Sequence, residues 1–287
     1  VIPVEKMEQF DSAISSAIRL RNSVLAEVLL IVFVYGVGVL FIWRHYIMVA
    51  DTATWYAQPS SAGMKFSFAG LWYAYASMPI FQFLLGRWYF RLFIWMRFLW
   101  QVSRIELSLV PTHPDRFGGI GFLANTAYAF MPVLMAQGAL LAGNLANRIF
   151  HFGATLPDFK MEILLLVTLL LGIVLGPLLV FAPQLAEAKR TGIREYGALA
   201  ERYVREFDSK WLRGGAPVDE PLVGSGDIQS LADLGNSYEV VRSMRIVPMT
   251  KDTILQLASA TLVPFLPLML TMMPLEELLK KLFGILF

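Results

Sequence analysis

The chain has 287 residues, 56% of them hydrophobic and 16% charged, with a mean hydropathy of +0.58. A soluble domain carries roughly 45–50% apolar and about 25% charged residues, so both departures point to lipid as the main solvent. A net charge of +2 supplies no clustered basic face for nucleic acid, and the absence of cysteine excludes disulfides, thiol catalysis and zinc–thiolate sites.

Histidines at 45, 113 and 151 are too scattered for a dedicated metal site, and no metal or cofactor is expected. The chain opens at Val1 without the charged, apolar, small-residue order of a secretory signal peptide. Residues 4–22 place Met7, Phe10, Ile14, Ala17 and Ile18 at helical spacing. That stripe predicts an amphipathic helix over 1–22, lying on the membrane or on the protein itself.

The next domain, 23–182, reads as four transmembrane helices with an interfacial Arg/aromatic helix. Its first span is 24–43, where about 20 apolar residues match a hydrocarbon core of about 30 Å. Glu27 interrupts it, and Arg19 or Arg21 is the expected partner. A polar loop from Arg44 to Phe66 leads to the second span, 67–86, where Pro79 predicts a kink. The helical pattern continues through "RWYFRLFIWMRFLWQVSRIEL", whose Trp and Tyr mark an interfacial belt. Arg87 and Arg91 share one helical face; Arg97 and Arg104 share another. They either snorkel to the interface or form a basic vestibule that concentrates anions or anionic headgroups.

The third span, 120–147, carries small-residue rows at Gly138, Ala142 and Ala146 and at Ala139 and Gly143. The fourth, 162–182, repeats the idea with Gly172 and Gly176. Such rows let helix backbones approach closely, within one chain or between copies. Gln137 and Asn144 are seven apart, with Asn147 about one turn further, so these amides either line a hydrated path or bond across helices.

Composition turns polar over 183–250, a helical region with an apolar stripe at Ile193, Tyr196, Ala200, Tyr203 and Phe207. Asp227 is the expected cap of a second helix carrying Asp233, Asn236 and Glu239. A single helix offers too few converging oxygens for a divalent ion. The last domain, 251–287, holds a fifth span near 253–273 and an amphipathic tail with Lys280 and Lys281. The distribution of Lys and Arg beside the spans places 183–250 in the cytoplasm, although a fifth span then puts the two tail lysines on the unfavoured side.

Between spans two and three lies "PTHPDRFGGIGFL", residues 111–123. Its prolines and glycines demand a bend, while His113, Asp115 and Arg116 could also move protons, hold an ion or perform catalysis. The His-Pro-Asp triplet matches the J-domain signature only incidentally, because that motif sits between soluble charged helices.

The runs "THPDRFGGIGFL", "FLWQVSRIEL", "LPDFK", "REYGALAERYVREFDSKWL" and "DIQSLADLGNSYEVV" together resemble a family of bacterial multi-spanning inner-membrane proteins. The resemblance covers most of the chain and implies a bacterial inner-membrane location, and no activity or substrate carries over. The fold expected is all-α, a polytopic helical bundle of about five spans with a helical cytoplasmic region. The function expected is an oligomeric channel or channel-like permeation protein, with anions slightly favoured. Its partners are the lipid bilayer, further copies of the chain and, as an option, a cytoplasmic protein. The alternatives are a membrane enzyme at the headgroup plane using His113 and Asp115, and a scaffold docking a partner through 183–250.

Overall fold

The computed structural model describes residues 1–43, 57–60 and 63–272. Among the described residues the chain is all-α but for one hairpin, β1 (Ala57–Ser60) and β2 (Gly63–Phe66), paired antiparallel with Ala57 opposite Phe66. That hairpin occupies the described part of the expected loop from Arg44 to Phe66. The C-terminal amphipathic segment, with Lys280 and Lys281, lies outside the described residues.

The helices are α1 (Val4–Arg21), α2 (Val24–Gly38), α3 (Phe68–Val102), α4 (Leu123–Phe152), α5 (Leu156–Leu212), α6 (Gly226–Arg242) and α7 (Lys251–Met269). Four of them, α3, α4, α5 and α7, are long and apolar enough to cross a membrane. The pair α1 and α2, bent by 43°, makes a fifth if counted as one span. The bend follows from Asn22 and Ser23: the Ser23 hydroxyl accepts the Ala26 N–H at 3.3 Å and so starts a new helix.

α3 is one helix of 35 residues, about 52 Å at 1.5 Å per residue, and its Arg/aromatic part continues the apolar part without a break. The kink expected at Pro79 takes the form of a π-helical turn, Tyr73–Ser77, immediately before Met78. A wide turn accommodates a ring that has no N–H to donate and would crowd the carbonyl four residues back. α5 is longer still, 57 residues, and the change of composition at 182/183 falls inside it. A 3-10 stretch, Gly176–Phe181, carries the chain past Pro177, and Pro183 sits in the first turn beyond, where no N–H is missed.

The chain forms two compact units, 11–98 and 1–10 with 99–287. In the first, Glu27 pairs with Arg87 at 2.8 Å, not with Arg19 or Arg21 as the sequence suggested. Arg19 and Arg21 end the preceding helix across the 43° bend, while Arg87 arrives on α3.

In the second unit, Ala142, Leu145, Phe159, Phe265 and Leu268 form a core between α4, the start of α5 and the end of α7, flanked by Ile163 and Leu166 of α5. α6 runs antiparallel to the polar half of α5. The Tyr203 hydroxyl donates to the Asp227 carbonyl at 3.1 Å, and at the other end the Lys189 ammonium donates to the Met244 carbonyl at 2.7 Å. The stripe of Ile193, Tyr196, Ala200, Tyr203 and Phe207 is half-buried along this hairpin. The cap of α6 is Ser225, not Asp227; its hydroxyl accepts the Asp227 N–H at 3.1 Å. The Asp227 carboxylate is drawn instead to the Lys210 ammonium at 2.8 Å and the Trp211 indole N–H at 2.9 Å, a stronger charged pairing than a cap offers.

Candidate functional site

Residues 103–121 fold into a string of tight turns seated on α5 and on the chain just after α6. Prolines 111 and 114 exclude a helix here. Backbone bonds from His113 N–H to Val110 O and from Arg116 N–H to His113 O, both 3.0 Å, close successive turns. Arg116, Gly118 and Gly119 adopt φ of 60°, 64° and 96°. For an arginine that left-handed geometry costs energy, on the order of 1 kcal/mol, and persists only where neighbours hold it.

Asp115 is the holder. Its Oδ1 accepts the N–H groups of Phe117 at 2.7 Å and Gly119 at 3.2 Å, and its Oδ2 accepts that of Gly121 at 2.9 Å. His113 Nδ1 stands 2.8 Å from the same Oδ1 and 3.3 Å from the Asp115 N–H. One nitrogen cannot serve both contacts with a single proton, and the shorter requires Nδ1 to donate to the carboxylate. Partial burial opposes ionisation of Asp115. The N–H groups of Phe117, Gly121 and Gly119, with His113, outweigh it and hold the carboxyl below the usual aspartate range. A general base near neutrality needs the opposite shift. The carboxylate therefore acts as the knot of the loop.

The knot presents Phe117 and Ile120 to the interior, 4% and 3% exposed, and leaves His113 at the surface. The Arg116 carbonyl accepts the Arg245 N–H at 2.8 Å, and the Arg245 guanidinium lies over the Phe117 ring at 5.8 Å. On α5, the Gln184 amide donates to the carbonyls of Ser103 at 2.7 Å and Ile105 at 2.9 Å. Eight residues on, a β-carbon at Gly192 would stand 2.7 Å from Pro111 Cβ and 2.9 Å from Val241 Cγ1. Tyr196, one turn further, brings its hydroxyl to 3.5 Å from that of Thr112. Gln184, Lys189, Gly192 and Arg245 escaped the sequence reading. The available signal was a glycine inside a helix, spaced by fours and eights from Tyr196 and Gln184 on one face.

The remaining candidates fall into three places. Gly138 and Ala142 are buried, and Gly138 lies against the Thr261 carbonyl of α7, which a β-carbon would overlap; Ala146 packs at the edge of the same core. Gln137 is half-buried beside this contact. Asn144 and Asn147 are exposed on the outer face of α4 together with Ala139 and Gly143, and among the described residues neither amide has a partner. Gly143, Gly172 and Gly176 meet nothing within 4 Å of a built β-carbon. Arg87 pairs with Glu27, and Arg91 lies over the Trp88 ring at 5.0 Å. Among the described residues no group of three His, Asp or Glu side chains is placed to hold a metal ion.

Compared with protein-family models, with curated proteins and with solved structures, the chain matches none.

Proposed function

We propose that the chain is a subunit of an oligomeric membrane channel or channel-like permeation protein, in a bacterial inner membrane with 183–250 on the cytoplasmic side. The observation that supports this most is the outer face of α4. Asn144 and Asn147 stand exposed there on a helix long and apolar enough to span, beside Ala139 and Gly143. An amide facing hydrocarbon without a partner costs on the order of several kcal/mol. A second copy offering the same amides removes that cost, and the small residues allow the backbones to meet. Amides around a symmetry axis would also wet a path through the assembly. Chemistry at His113 and Asp115 is the weaker reading, because three backbone N–H groups already occupy the carboxylate.

A chain without cysteine makes the test direct. Asn144→Cys, oxidised in membranes, should give a cross-linked dimer, whereas Leu165→Cys on the exposed apolar side of α5 should not. Purified protein in planar bilayers should pass stepwise current that Asn144→Leu alters. Absence of current under every salt and pH would overturn permeation; absence of the cross-link would overturn the subunit contact.

A further inference from the structure

The unit of residues 11–98 carries two hollows on one stripe of α3. The upper one, about 350 Å³, is lined by Ser16, Arg19, Leu20 and Ser23 from α1 and the bend, and by Phe93 and Arg97 from α3. Among the described residues no carboxylate lines it. Arg97 donates to the Ser16 hydroxyl at 2.8 Å, which fixes one edge of its guanidinium and leaves other N–H groups available. The Ser23 hydroxyl accepts from Ala26, so its own proton is free to be donated. Glu27, in the small neighbouring hollow with Arg21, Arg87 and Arg91, is paired with Arg87 at 2.8 Å. Across the two hollows five arginines thus face one carboxylate that is already engaged.

The lower hollow, about 270 Å³, lies between α2 and α3 and is almost wholly apolar, walled by Leu30, Phe33, Val34, Val37, Leu85 and Tyr89. Along α3, residues 82, 86, 89, 93 and 97 follow at helical spacing, so the two hollows open on the same stripe. Their centres are about nine residues apart, about 14 Å at 1.5 Å per residue. That separation carries a headgroup phosphate into the hydrocarbon region of its own acyl chains. The charged hollow also sits at the polar ends of the two apolar helices, where a bilayer keeps its phosphates.

We propose that this groove binds one anionic phospholipid, its phosphate between Arg19 and Arg97 and one acyl chain along the apolar hollow between α2 and α3. The guanidiniums supply paired donors matched to phosphate oxygens. Ser16 and Ser23 add hydroxyls, and Leu20 and Phe93 give the glycerol region an apolar floor. The binding is separate from any permeation path, so neither reading depends on the other.

The test is native mass spectrometry of the full chain, delipidated in detergent and titrated with phosphatidylglycerol or with phosphatidylcholine of the same chains. Each arginine at the headgroup plane contributes about fivefold, so with two of them the wild type should prefer phosphatidylglycerol by about twenty-fivefold. Arg19→Gln with Arg97→Gln should bring that preference to about twofold or less, while Arg19→Lys with Arg97→Lys should retain most of it. Arg213→Gln, exposed in the other unit, should leave it unchanged. Dihexanoyl phosphatidylglycerol should bind at least tenfold more weakly than the long-chain lipid. Equal affinity for the two headgroups, or a preference that survives the glutamine pair, overturns the proposal. Inorganic phosphate competing at the lipid's own concentration also overturns it, in favour of a free-anion site. If the glutamine pair loses its helical circular dichroism, the decision passes to the single variants Arg19→Gln and Arg97→Gln. A preference reduced severalfold in either supports the groove, and an unchanged preference in both overturns it.

Discussion

Gly138 faces Thr261 so closely that a β-carbon on the glycine would overlap the threonine's carbonyl oxygen. Thr261 is itself fully buried, and its hydroxyl donates back to the Leu257 carbonyl at 3.0 Å. The obstacle is therefore backbone that cannot swing aside. Gly138→Ala should cost about 1–3 kcal/mol by overpacking, although alanine is the better helix former. Gly143→Ala, one residue beyond a turn away with open space around it, should be neutral or slightly stabilising in the isolated subunit. Thermal unfolding of the two variants in one detergent checks the difference; equal melting temperatures would remove Gly138 from the α4–α7 contact.

Asp115 predicts a response to acid with a definite sign. Its folded-state carboxyl ionises below the ordinary value, so the carboxylate's contribution to stability is complete above the unfolded-state pKa of about 3.9. That contribution is lost as pH falls from there through the folded-state value. Asp115→Asn should remove it at every pH, because the amide turns either an N–H against N–H of Gly121 or an unmatched group against Phe117. A loss of about 2 kcal/mol at neutral pH is expected for a charged acceptor of this kind. The variant's stability should also change less between pH 5 and pH 3 than the wild type's. A parallel pair of pH curves would show that some other group carries the acid response.

The elements legible in the sequence are those whose cause is local. The fourth span announces itself by a Leu-, Ile- and Val-rich run, 163–175, with no charged residue. The small row at Gly138 and Ala142 is visible in the sequence as a four-residue spacing, but its partner, the Thr261 carbonyl of α7, is not, and the similar glycines at 172 and 176 meet nothing within 4 Å of a built β-carbon. Asp115 stands out as a residue of interest, yet its task depends on left-handed backbone at Arg116, Gly118 and Gly119, which bends three N–H groups onto one carboxylate. Composition gives the glycines and withholds the direction of the N–H groups. Glu27 shows the other limit. Its partner Arg87 is 60 residues away on another helix, and the arginines nearer in sequence lie across a bend. Gln184, Lys189 and Gly192 look like ordinary members of an amphipathic helix until residues 103–112 and 241–245 are laid against them.

Gly192 joins three segments at one point, so its substitution should act on all three. A β-carbon at 2.7 Å from Pro111 Cβ meets a rigid ring, and the second neighbour, Val241, is fully buried. Gly192→Ala should destabilise by about 1–3 kcal/mol and open the 103–121 loop to protease. Gly197→Ala, whose β-carbon would rest 3.6 Å from the Tyr238 ring in ordinary contact, should gain up to about 1 kcal/mol of helix propensity. Limited proteolysis with mapping of the first cuts distinguishes them. Cleavage of the loop at wild-type rate in Gly192→Ala would mean that Pro111 is not seated by α5.

Lys210 closes the other end of the α5–α6 hairpin. Its ammonium donates to Glu220 at 2.5 Å and to Asp227 at 2.8 Å, and its Nζ lies 4.8 Å from the Trp211 ring centroid. The Lys210 ammonium and the Trp211 indole hold the Asp227 carboxyl below its ordinary range against a smaller effect of desolvation. All of these groups are half-buried at the edge of the fold, so the clasp should matter locally, with little effect on global melting. Lys210→Met keeps the length of the side chain and removes the charge that binds two carboxylates together. The loop 213–225 should then be cut several-fold faster by protease, and in the wild type the same acceleration should appear as salt is raised, since exposed ion pairs are screened. A loop that is cut at one rate in both proteins and at every ionic strength would show that the turn at Arg213 and the Ser225 cap hold it without the lysine.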